Sequence, residues 1–146
     1  AETGYLQYEI SNFSKPGFES RHNVKYWRME PVFGFGMSAH SFDGRERYAN
    51  TRSTDEFIRL VETRESPEIM RETIDLASET AFLGLRLEMG IELDGYRRSF
   101  GSDIFDSYGE RLVELIDAGL LERGDSRLRL TRKGKLLSNE VFAVFV

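Results

Sequence analysis

An α+β chain is predicted, with strand–helix elements over residues 1–52 followed by a mainly helical, winged-helix-like domain over residues 53–146. Three observations predict it. Aromatic and glycine residues crowd the first third around strand-like runs; acidic helical patterning begins near Thr54; and the last third reads helix, hairpin, helix. With 146 residues and a hydrophobic share of 40%, the chain is long enough to bury a real core.

Ala1-Glu-Thr-Gly4 reads as the end of a helix with a glycine stop, followed at once by the strand-like Tyr5-Leu-Gln-Tyr-Glu-Ile10. Helix, glycine, strand is the rhythm of an α/β unit. Such a strand needs edge partners, and the nearest good candidate downstream is Val32 to Phe35. The chain is therefore expected to be the C-terminal piece of something larger. Ser20 can cap a short helix through Arg28, stopped by Pro31, and Asp43-Gly44 turns into the strand Arg47 to Asn50. The domain boundary is expected near Arg52 to Thr54.

Beyond it, Thr54 with Asp55 and Glu56 starts one helix, and Ser66-Pro67 is expected to cap a longer one ending at Gly90. Its Ile69, Met70, Ile74, Ala77, Ala81, Phe82 and Leu85 recur at three- and four-residue spacing. Ile104-Phe105 and Tyr108 to Ala118 read as helix, with Gly119 its stop. Leu120-Leu-Glu122 and Arg127 to Thr131 then form a hairpin about Gly124-Asp125-Ser126, and Thr131 caps a final helix through Phe142.

Composition excludes several functions. The formal net charge of −5 argues against general nucleic-acid binding. Residues 123–146 hold six Lys/Arg against two Asp/Glu, which allows a basic wing, but the helix before the hairpin carries Glu110, Glu114 and Asp117 where a recognition helix would meet phosphates. No nucleic-acid partner is expected. Zero cysteines exclude disulfides, a thiolate nucleophile and a cysteine-held cluster within these residues. No run approaches a membrane span and no signal peptide opens the chain, so a cytoplasmic setting is the default expectation.

The densest chemistry lies in Glu19-Ser-Arg-His-Asn-Val-Lys-Tyr-Trp27, which gathers one of two histidines and the sole tryptophan. Imidazole binds metal or carries protons, Asn and Arg fix anions, and Tyr-Trp offers a flat apolar surface to a planar ligand. A bland alternative is that His22 and Tyr26, one helical turn apart, serve only local hydrogen bonds. Downstream, Phe33-Gly-Phe-Gly-Met-Ser-Ala-His-Ser41 is spaced by glycines that allow close backbone approach. It is not a GxGxxG phosphate loop, because the third glycine is missing and no long helix follows. Relief of crowding is the competing role for those glycines. A carboxylate at Glu9, if turned inward, needs a partner such as Arg21 or Arg28, which makes it a structural ion pair.

Tyr8-Glu-Ile-Ser-Asn-Phe13, Lys15-Pro-Gly-Phe-Glu-Ser-Arg-His-Asn-Val-Lys-Tyr-Trp27, Gly34-Phe-Gly-Met-Ser-Ala-His-Ser41 and Leu130-Thr-Arg-Lys-Gly-Lys-Leu-Leu-Ser-Asn-Glu-Val-Phe142 together resemble the HemW-type radical SAM proteins. These are heme chaperones long described as oxygen-independent coproporphyrinogen III oxidases. The resemblance implies a parent whose incomplete TIM-like barrel holds a [4Fe-4S] cluster and S-adenosyl-L-methionine, with this chain as the last barrel elements plus the C-terminal domain. The missing N-terminal barrel portion is then its first partner, and the chain alone is expected to be inactive.

By the same resemblance His22, Asn23, Tyr26 and Trp27 form the His-Asn-x-x-Tyr-Trp signature of heme handling, with His22 as candidate metal ligand. Gly34, Gly36, Ser38, Ala39 and His40 would lie at the S-adenosyl-L-methionine end of the barrel. His40 or a methionine remains an alternative axial ligand. The implied function is heme binding and delivery to an accepting protein, with a membrane-associated recipient allowed. Alternatives are a fragment of the oxidase, which the signature disfavours, and a winged-helix module that docks a protein.

Overall fold

The computed structural model describes residues 3–145. In chain order its elements are β1 (Leu6–Glu9), β2 (Asn12–Ser14), α1 (Arg21–Trp27), β3 (His40–Phe42), β4 (Glu46–Asn50), α2 (Thr54–Glu62), β5 (Glu68–Thr73) and α3 (Leu76–Gly84). Then follow β6 (Ile91–Glu92), α4 (Leu93–Phe100), α5 (Ile104–Asp117), β7 (Leu121–Arg123), β8 (Arg127–Leu130), α6 (Arg132–Leu136) and α7 (Ser138–Phe142). The strands make three small sheets, ordered β1-β2, β3-β4-β5 and β6-β8-β7, and no closed barrel occurs among the described residues. Two compact units result: residues 1–28 with 77–146, and residues 29–76. The expected boundary near Arg52 to Thr54 thus falls inside the second unit.

The first unit is built around one apolar cluster. Alternation along β8 turns Leu128 and Leu130 inward and Arg129 outward, and β8 pairs antiparallel with both β6 and β7. Leu128 joins Ala81, Leu85, Leu112 and Val141, each with no exposed surface. Each fully buried leucine contributes about 1.5–3 kcal/mol from apolar burial alone. Phe82 and Phe142 meet edge to face at 4.8 Å, tying α3 to α7. Helix α5 begins with a capping box: Asp103 accepts from Phe105 N at 3.0 Å, and Asp106 accepts from Asp103 N at 2.8 Å. The donation from Phe105 N, aided by the Arg97 guanidinium, holds the Asp103 carboxyl below the usual carboxylate range.

In this unit β1 finds partners on both sides. It pairs with β2 in the register Leu6↔Ser14, and on the other side Ile10 N donates to Arg86 O and Glu88 N to Tyr8 O, both at 3.0 Å. This second partner is the segment just after α3, not Val32 to Phe35, the candidate that the sequence offers. Glycine is required where this segment turns: Gly90 has φ 62, and a Cβ there would lie 2.6 Å from Arg129 Cβ.

The second unit is a three-stranded antiparallel sheet with α2. Ser53 caps α2 through Glu56 N at 3.3 Å, one residue earlier than Thr54, and Leu60 is its buried residue. Arg71 on β5 gathers Glu68 and Glu46, at 2.7 and 2.9 Å, and lies 4.4 Å from the Tyr48 ring centroid.

Several expectations are corrected. The helix over Pro67 to Gly90 does not form as one piece: Glu68 to Thr73 is β5, paired with β4 from Glu46↔Thr73 to Asn50↔Glu68, and helix begins only at Leu76. Cross-strand pairing wins over the helical spacing, leaving Ile69 and Met70 exposed rather than in a core. Val32 to Phe35 is not a strand; only Val32 bridges, to Phe42. The final helix breaks at Leu137 into α6 and α7. Strand β6 and helix α4 were not foreseen. The expected helix end at Ala1 to Gly4 reaches outside the described residues, although Gly4 itself has φ 74.

Candidate functional site

Helix α1 is as expected from its sequence. Ser20 Oγ accepts from Asn23 N at 3.3 Å, and the helix ends with Arg28 N donating to Val24 O at 3.0 Å. With 3.6 residues per turn, positions 23, 24 and 27 share one side and 22, 25 and 26 another. Burial follows that division. Asn23, Val24 and Trp27 are half-buried, whereas Arg21, His22, Lys25, Tyr26 and Arg28 are exposed. The four signature residues therefore do not form one surface: His22 and Tyr26 face out, their rings edge to face at 5.0 Å, and Asn23 and Trp27 face the body of the unit.

Trp27 is held by a residue far away in sequence. The Arg86 guanidinium lies 4.4 Å from the indole ring centroid, and the same group reaches Glu9 Oε2 at 3.4 Å. Glu9 is only 1% exposed, so its charge needs compensation. Its Oε1 accepts from Ser11 N at 2.7 Å and Asn12 Nδ2 at 2.6 Å. The structural ion pair expected for Glu9 exists, but its partner is Arg86, not Arg21 or Arg28. Trp27 Nε1 and Arg86 Nε are buried without hydrogen-bond partners among the described residues. Stacking, then, fixes this pair, and one face of the indole is covered by protein.

The glycine segment lies in the second unit and is held by its own chain. Gly34 N donates to Ser41 Oγ at 3.0 Å, Ser38 N to Thr51 O at 2.8 Å and Ala39 N to Gly36 O at 3.4 Å. A Cβ on Gly34 would stand 2.5 Å from His40 O, so the close approach its glycine allows is to this chain's backbone. Gly36 is needed for its φ of 97, with open space around it. Ser38, itself at φ 58, and His40 are exposed, while Ala39 is half-buried. The amides of Gly34, Ser38 and Ala39 are thus engaged within this chain.

The two groups of candidates can be weighed for the cofactors they suggest. His22 is an accessible imidazole beside an aromatic edge, which fits an axial ligand to heme iron. A [4Fe-4S] cluster does not fit these residues: there is no cysteine, and among the described residues no group of three His, Cys, Asp or Glu is placed to hold a metal ion. Nor, among the described residues, is any helix long and apolar enough to cross a membrane. Sequence reasoning missed Arg86, whose role is visible only through tertiary contacts. The sequence names Arg21 and Arg28 only as candidate partners of Glu9, although their four- and three-residue spacing with Lys25 is legible in it.

Comparison with known proteins gives this arrangement a class. Residues 72–137 match the HemN C-terminal domain family, and the fold matches that of the coproporphyrinogen III oxidase HemN from Escherichia coli, a radical SAM enzyme, with a TM-score of 0.76 at 16% identity. That match covers 99% of this chain and 37% of the other. The chain is 37% identical to the heme chaperone HemW of Bacillus subtilis, over 98% of its own length and 38% of the relative's. With HemW of Lactococcus lactis the identity is 35%, over 100% of this chain and 39% of that one. The chain is thus similar to HemW proteins over essentially its whole length, and it spans about two fifths of the length of these curated relatives.

Proposed function

We propose that the chain is the C-terminal part of a HemW-like heme chaperone, in which α1 presents His22 to heme iron and Tyr26 to the edge of the macrocycle. The observation that carries this reading is the outward half of the signature: an exposed imidazole with an aromatic ring at 5.0 Å. The relatives named heme chaperones supply the ligand class. Trp27 and Asn23 act from the inner side of the helix, where the stack on Arg86 fixes the orientation of α1. Bound heme would offer an iron coordination position that a neutral imidazole can fill. Titrating hemin against the protein tests this: His22→Ala is expected to weaken binding and shift the absorption spectrum. An unchanged spectrum and affinity would remove His22 as ligand and pass the role to His40 or a methionine.

In this reading the cluster and S-adenosyl-L-methionine belong to the barrel of the parent, with β1 and β2 and the segment through His40 as its C-terminal elements. The order α3, β6, α4, α5, β7, β8 with a β6-β8-β7 sheet supports a winged-helix-like end to the chain. Delivery to an accepting protein in the cytoplasm or at a membrane completes the proposal. A second reading, decarboxylation of coproporphyrinogen III, is favoured by the fold shared with HemN. Conversion of that substrate to protoporphyrinogen IX by the cluster-loaded parent would overturn the chaperone assignment.

A further inference from the structure

Helix α1 has a second exposed stripe beside His22 and Tyr26. Arg21, Lys25 and Arg28 follow one another at four- and three-residue spacing, so they rise along one side of the helix in steps of about 6 and 4.5 Å. All three are exposed, and among the described residues none makes an ion pair or a side-chain hydrogen bond. Several other basic residues of the unit are instead paired with carboxylates: Arg86 with Glu9, Arg98 with Glu92, Arg129 with Glu122 and Lys135 with Glu88. Of the two acidic residues nearest in sequence, Glu19 and Glu30, Glu19 accepts from Gly17 N at 3.2 Å. Three unpaired cations in a row, within a chain of net charge −5, make a local field that favours anions.

We propose that Arg21, Lys25 and Arg28 recognise the carboxylates of a tetrapyrrole whose iron or ring face meets His22 and Tyr26, so that α1 selects a planar macrocycle bearing acidic side chains. The inference rests on the heme reading above and adds how the ligand is oriented. Heme carries two propionates on adjacent pyrrole corners, and a cationic row parallel to an aromatic one matches a flat ligand with acidic groups along one edge. Arginine forks suit carboxylates in two-point contacts, whereas lysine contributes a point charge. Because the stripe is exposed, each contact is screened by salt.

The test compares hemin with its dimethyl ester, in which both propionates are capped, on the wild-type protein and on a variant carrying Arg21→Gln, Lys25→Gln and Arg28→Gln. Circular dichroism and the emission of Trp27, on the inner side of α1, verify that the variant keeps its fold. The substitutions are expected to weaken hemin binding about tenfold, at roughly 0.5 kcal/mol per exposed contact, and to leave the ester unchanged. Raising salt should weaken hemin but not ester on the wild type. Equal affinity for both ligands on the wild type, or an equal loss for both in the variant, would overturn the stripe while leaving the heme reading intact. A wild type that binds neither ligand would overturn the heme reading, and this inference with it.

Discussion

Arg86 joins a buried carboxylate to the only tryptophan, and removing it should be felt in both places. Arg86→Met keeps much of the side chain's apolar stem while deleting the charge. Glu9, at 1% exposure, would keep its two donors from Ser11 and Asn12 but lose its cation. Breaking a buried pair costs about 3–5 kcal/mol, and because the contact is 3.4 Å long and Glu9 retains two hydrogen bonds, the lower end, about 3 kcal/mol, is expected. Loss of the guanidinium stack on Trp27 adds about 0.5–2 kcal/mol. The assay is urea unfolding followed by Trp27 emission and by circular dichroism. Pairing Arg86→Met with Glu9→Gln in a double-mutant cycle isolates the coupling, expected at about 1–3 kcal/mol because the double variant no longer buries a lone charge. Strictly additive losses, or a native emission spectrum unchanged by Arg86→Met, would refute the stack and the pair as described.

Three further outcomes follow from particular positions. Asp103→Ala should cost about 1 kcal/mol by removing the N-cap of α5. Because the folded pKa of Asp103 is depressed, its contribution is present above the unfolded value and is lost as pH falls through the folded one; the wild type's advantage over Asp103→Ala should therefore shrink in acid denaturation. Gly90→Ala forces a side chain into φ 62 and toward Arg129, and should destabilise by more than about 2 kcal/mol in thermal unfolding, where Gly101→Ala, at φ 75 in open space, costs only the conformational strain of about 1 kcal/mol. Leu112→Ala, emptying a fully buried position on α5, should cost about 2–5 kcal/mol in the same assay.

The C-terminal third was legible because its signals are local: Gly119 at φ 70, Thr131 accepting from Gly134 N, and the alternation of Leu128 and Leu130 with arginines each act within a few residues. The region from Pro67 to Gly90 was not. Its three- and four-residue apolar spacing is compatible with helix, and only the pairing of β5 with β4, some 20 residues earlier in the chain, decides for strand over Glu68 to Thr73. The site divides the same way. Ser20 and the periodicity of α1 predict the helix and hence which signature residues share a side, but the half-burial of Trp27 depends on Arg86, and Glu9 on the same residue, through contacts no local pattern encodes. In the glycine segment, the close approach expected at Gly34 is real, though the approaching group is the carbonyl of His40 in the same chain.

The unit that carries α1 is assembled from two stretches of chain separated by the whole of residues 29–76. During synthesis, at about 5–20 residues per second, the first stretch emerges several seconds before Arg86 exists to cover Trp27 and compensate Glu9. In that interval residues 29–76 can complete their own sheet, while the exposed and the supporting halves of the signature lack the body that distinguishes them. Helix α1 is thus made well before the residues that set it in place.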